Sequence, residues 1–131
     1  MNAPSSTSDY LVISRGQWDV DAAKADIEVA ISEFYEWLQR CIDEGKMKMG
    51  SRLSTEGAVA SKDGVISDGP YGEGKEVVGG YWFIVASSLA EAAQLAAQNP
   101  CCQFGLSFEV RPLEAERASA YNQTNETIHT S

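Results

Sequence analysis

Histidine is almost absent from this sequence; the single copy, His129, stands in a polar tail. Cysteine is scarce and odd in number: Cys41, Cys101 and Cys102 show no CxxC spacing and no nearby histidine pair. That pattern argues against a disulfide framework or a zinc site, so no bound transition metal and no cofactor is expected. The adjacent thiols at 101 and 102 read first as small apolar residues in a helix-to-strand connection, and only second as a redox pair. Basic residues are also few, 10 Lys and Arg against 19 Asp and Glu, for a net charge of −9. Such a balance disfavours a phosphate-binding surface, and direct nucleic-acid binding is not expected. No apolar run approaches the roughly 20 residues that span a bilayer. The first eight residues have neither the basic nor the apolar region of a secretory signal. The expectation is a soluble, cytoplasmic protein with no membrane partner.

What is present suffices for one core. The chain has 131 residues, 44% of them hydrophobic. The reading is one domain over residues 9–113, between a disordered segment 1–8 and a flexible polar tail 114–131. YLVIS at 10–14 fits a buried strand. Ile27, Ile31, Phe34, Leu38, Cys41 and Ile42 recur at spacings of three and four, one face of a helix that ends at Glu44 before Gly45. KMKMGSRL at 46–53 reads as a less buried edge strand. Val59 and the pair Val65-Ile66 flank Asp63-Gly64, the dipeptide of a type I′ hairpin turn. YWFIV, from Tyr81, is apolar on both faces and therefore central. Ser88 and Glu91 form a capping box for a helix that should bury Leu89, Ala92, Ala93 and Ala96 and stop at Asn99-Pro100. Leu106, Phe108 and Val110 alternate with Ser107, Glu109 and Arg111 in a last strand.

Without the hairpin arms the order is β-α-β-β-α-β, an α+β ferredoxin-like split in which YLVIS and YWFIV are central. Both helices then cover one sheet face. The other face would leave aromatic surface wet in a monomer, so a homodimer with facing sheets is expected.

One stretch stands out, SDGPYGEGKEVVGGYWFIV from Ser67. With SLAEAAQLAAQNP and FEVRP behind it, it resembles the DGPF group of YCII-related proteins, with Tyr71 where that group's name has Phe. The likeness runs from Tyr10 through Pro112. It implies a dimeric α/β-barrel of two ferredoxin-like units with a cleft near the dimer interface, and it implies no settled reaction. It also raises a transcription-linked role, since some relatives accompany sigma factors. Broader YCII relatives look like enzymes with a helix histidine and an Asp-Pro. The matching positions here are Phe34 and Asn99-Pro100, which cannot do acid–base work near neutral pH.

The remaining polar constellation is Asp68, Tyr71, Glu73 and Lys75 in the loop, with Glu109 and Arg111 on the last strand. These six form the candidate ligand site. Arg111 would pair with a carboxylate-bearing ligand, and Asp68 or Glu73 would serve as a base if desolvated. Trp82 or Tyr81 would supply the apolar lining, depending on which face of YWFIV turns inward. Blander alternatives stand beside each: an Asx-turn for Asp68, a solvated loop for Lys75, and a structural ion pair for Glu109 and Arg111. Three functions stay open: a homodimeric protein binding a small, anionic molecule without catalysis; an isomerase or hydrolase using loop carboxylates; and a sigma-factor-linked interaction protein. The missing dyad weighs against the second.

Overall fold

Two strands that are apolar on both faces need cover on both, and the middle of a sheet supplies much of it. A computed structural model describes residues 6–66 and 77–128. In chain order the elements are β1 (Ser8–Arg15), α1 (Lys24–Asp43), β2 (Met47–Arg52), β3 (Val59–Ser61), β4 (Gly64–Ile66), β5 (Val78–Ala86), α2 (Leu89–Ala96), a 3₁₀ turn (Pro100–Phe104) and β6 (Ser107–Pro112). The main sheet has the order β2-β5-β1-β6, and every pair is antiparallel. This is the ferredoxin-like arrangement, with YLVIS and YWFIV at its centre and β2 at an edge. No helix among the described residues is long and apolar enough to cross a membrane.

The register decides which side chains face the helices. Tyr10 opposes Ile84 and Val12 opposes Trp82. All four are buried, with Val12 and Ile84 fully so, and they join Leu38, Cys41 and Met47 in one core. Phe34 packs against that core, in keeping with the predicted stripe. Trp37 is buried as well; it lies beside the stripe rather than on it. By alternation, Leu11, Ile13, Tyr81, Phe83 and Val85 lie on the opposite, helix-free face. Leu11 opposes Phe83 there and Ile13 opposes Tyr81.

Three local expectations need correction. The hairpin pairs Ser61 with Gly64, so its turn residues are Lys62 and Asp63, one position earlier than the sequence suggested. Only Gly64 has a positive φ there, whereas a type I′ turn needs it at both central positions. In α2 the buried residues are Ala92 and Ala96. Leu89 and Ala93 are exposed, because an eight-residue helix lying on a sheet hides only one narrow stripe. Ser88 caps α2 as expected, its Oγ accepting from Glu91 N–H at 3.1 Å. The Glu91 carboxylate instead accepts from the Ser87 backbone at 3.3 Å and hydroxyl at 2.7 Å, one residue before the cap.

Candidate functional site

The middle of α1 and the near ends of β1, β2 and β5 do not close on one another. Between them lies a cavity of about 430 Å³, within the range of small-molecule pockets. Its apolar wall comes from Ile31, Phe34 and Leu38 of α1 and Trp82 and Phe108 of the sheet. The Trp82 ring is held edge-on between Phe34 and Phe108, with centroids 5.4 and 5.5 Å away. The connection after β1, carrying Gln17 and Trp18, forms another wall. It is fixed by Gly16 N–H donating to Val77 O at 2.9 Å and Asp19 N–H donating to Phe104 O at 2.8 Å.

The polar lining is sparse. Asn99 is 2% exposed. Its Oδ1 accepts the Cys101 N–H at 2.8 Å, which fixes the amide's orientation: turned over, two donors would face each other. The NH₂ group therefore points elsewhere, and Nδ2 has no hydrogen-bond partner among the described residues. Trp82 Nε1 is in the same condition. A buried donor without an acceptor costs about 1–3 kcal/mol, and here two of them belong to residues lining one cavity.

Cys101 also lines the cavity, its thiol 3.8 Å from the Ala30 carbonyl. Burial, with the neighbouring Cys102 behind it, pushes this thiol up to about 11, so it stays protonated at neutral pH. Burial raises Cys41 and Cys102 too, but Cys102 is exposed while Cys41 and Cys101 are buried. Ellman's reagent at pH 8 should therefore label Cys102 alone in the folded protein and reach the other two only on unfolding. Prompt labelling of a second thiol would contradict the packing of the 3₁₀ turn on α1.

Of the six residues proposed from sequence, Asp68, Tyr71, Glu73 and Lys75 lie outside the described residues. Glu109 and Arg111 are brought together, Arg111 Nη1 donating to Glu109 Oε2 at 3.1 Å. Arg15 Nε donates to the other carboxylate oxygen at 2.9 Å, a partner the sequence did not suggest. Hydrogen bonds from Arg111 and then Arg15 hold the Glu109 carboxyl below its ordinary range. The trio sits on the helix-free face, in register with Leu11 and Ile13, so Glu109 and Arg111 are across the sheet from the cavity. Trp82 turns toward the helices and Tyr81 away, which settles which of the two faces inward.

The model of the YCII-related domain matches residues 19–115. The chain belongs to the YCII-related family. A comparison with curated proteins finds no match. Phe34 and Asn99, which the resemblance read from the sequence set against a histidine and an aspartate of broader relatives, line the same cavity. They come from different elements, and their meeting there is a property of the fold. Sequence reasoning treated Asn99 as a helix stop and as a replaced aspartate unfit for acid–base work, and Trp82 as one of two choices for apolar lining. Neither donor was singled out, because the signal lies in what their N–H groups fail to meet.

Proposed function

We propose that this YCII protein, a member of the DGPF group, binds a small molecule in the cavity between α1 and the sheet and does so as a homodimer. The observation that carries the reading is the cavity itself: a drug-sized space with an aromatic and aliphatic wall and few polar groups. Its polar lining includes Ser14, Gln17, Arg52, Asn99 and Cys101. Amides and hydroxyls do not titrate near neutrality, and Cys101 is held protonated. Such a lining favours recognition over proton transfer. The homodimer rests on the helix-free face, where Leu11, Ile13, Phe83 and Val85 need cover that this chain's helices do not give.

Ile31 projects from α1 into the cavity wall, so Ile31→Trp should fill the space with little change elsewhere. In a ligand-observed NMR screen of ring-bearing fragments, the wild type is expected to give hits whose affinity falls by roughly tenfold or more in the variant. Thermal unfolding of the variant checks that it is folded. A screen with no hits, or hits indifferent to Ile31→Trp, removes the reading.

A further inference from the structure

A β-bulge changes which face of a sheet the following side chains occupy. On β2, Lys48 opposes Phe83 and Ser51 opposes Tyr81, so Met49 and Gly50 together stand against Trp82 alone. Lys48 is on the helix-free face, where it meets Asp9. Strict alternation would put Arg52, four positions on, on that face as well. With the extra residue, Arg52 opposes Gly80 instead, and Gly80 shares its face with Trp82 and the helices. The bulge brings Arg52 to the cavity side, and Arg52 is among the residues that line the cavity.

That cation stands apart from the other charges of the main sheet. Lys48 is paired with Asp9, and Arg15 and Arg111 with Glu109. The Arg52 guanidinium has no hydrogen-bond or ion-pair partner among the described residues, although the chain carries a net charge of −9. Arg52 is also the only charged residue among the described residues that line the cavity. Four rings line the same space in a series of contacts, Tyr35 to Phe34, Phe34 to Trp82 and Trp82 to Phe108, with centroids 5.1, 5.4 and 5.5 Å apart. Such a wall receives a further ring by offset or edge-to-face contact. A carboxylate against it would lose hydration without meeting a cation. At Arg52 the same carboxylate meets a planar fork of donors that fits its two oxygens. One cation neutralises one negative charge; the second charge of a phosphate dianion would stand unpaired on an acidic protein.

We infer that the ligand is an aromatic carboxylate whose acid group is held by Arg52 and whose ring packs on the aromatic wall. Arg52 takes the anion-binding role that the sequence suggested for Arg111, which lies across the sheet and is engaged by Glu109. The assignment rests on the cavity being the binding site. It adds the chemical class, and the two ideas separate on test.

Three probes with one ring system do this: 2-naphthoate, 2-naphthamide, which keeps the shape without the charge, and 2-naphthyl phosphate. Their dissociation constants are measured by ligand-observed NMR titration with the wild type, Arg52→Gln, Arg40→Gln and Ile31→Trp. Naphthoate should bind the wild type roughly tenfold more tightly than the amide, and more tightly than the phosphate. Arg52→Gln should remove the preference for the acid by weakening the acid alone. The Arg52 side chain is exposed and unpaired, so its loss should not unfold the protein, and an unchanged affinity for the amide checks this. Arg40→Gln removes the same charge from an exposed position of α1 outside the cavity lining, and it should keep the preference. Ile31→Trp should weaken all three probes. Equal binding of acid and amide to the wild type, or a preference that survives Arg52→Gln, overturns the assignment and leaves the cavity as the site. Tighter binding of the phosphate overturns the choice of a carboxylate. Failure of all three probes to bind overturns the aromatic class, and binding that survives Ile31→Trp overturns both the class and the site.

Discussion

Phe83→Glu is expected to turn the protein from a dimer into a monomer at micromolar concentration, as read by sedimentation velocity. Phe83 lies on a central strand, on the sheet face without helices, opposite Leu11 and with its ring 6.0 Å from that of Tyr81. Charged residues lie around this band. Lys48 reaches across β5 to Asp9 at 2.9 Å, and Arg15, Glu109 and Arg111 form their cluster along β6. An apolar centre with an ion-paired margin has the composition of a protein interface. In a two-fold assembly the same patch meets itself, so one substitution places two carboxylates in the contact. An unpaired charge left in such a contact costs about 3–5 kcal/mol, at least roughly a hundredfold in dissociation constant. The control is Val29→Glu, on the exposed side of α1, which should leave the assembly intact. A wild-type protein that sediments as a monomer, or a Phe83→Glu variant that remains a dimer, removes the proposed pairing.

The sequence showed two apolar faces on the central strand without telling the covered one from the bare one, and the reason is periodicity. Strand alternation assigns Tyr81, Phe83 and Val85 to one side and Trp82, Ile84 and Ala86 to the other, but when both sides are apolar it does not say which meets the helices. The helix period is more informative, since Ile31, Phe34 and Leu38 lie on a stripe flanked by charged residues. Element order then gives the sheet order, because a split β-α-β-β-α-β chain has few acceptable ways to pair. The cavity is different in kind. It exists because elements far apart in the chain stop short of one another, and no spacing rule records a gap. The charged residues of β6 drew attention because charge is conspicuous in a sequence, yet in the fold they satisfy one another. Asn99 and Trp82 are ordinary residues whose interest comes only from unpaired N–H groups.

Gly50→Ala should cost about 3 kcal/mol of stability, at the upper end of what overpacking does, and should weaken ligand binding with it. Gly50 sits where β2 bulges against β5, between Lys48, which opposes Phe83, and Ser51, which opposes Tyr81. A β-carbon at Gly50 would run into the Tyr81 carbonyl oxygen and stand 2.7 Å from its carbon and 2.8 Å from Trp82 Cα. These are backbone atoms, so no rotamer change relieves the contact. Gly50 does not have a positive φ, so space rather than conformation demands glycine there. β2 is an edge strand, so relief comes from its moving off β5. That movement pulls on the Val85 N–H to Lys46 O bond of 2.8 Å and the Leu53 N–H to Gly79 O bond of 2.9 Å. It also lifts Met47 from the core and shifts Arg52 at the cavity rim. Urea unfolding should show the stability loss, and hydrogen exchange should localise it to the amides of Leu53 and Val85. Gly45→Ala supplies the comparison, because a β-carbon there meets nothing within 4 Å while φ is +77°. Its cost is conformational, about 1 kcal/mol, without faster exchange along β2. If Gly50→Ala proves no more damaging than Gly45→Ala, the close approach of β2 to β5 is not what glycine serves at position 50.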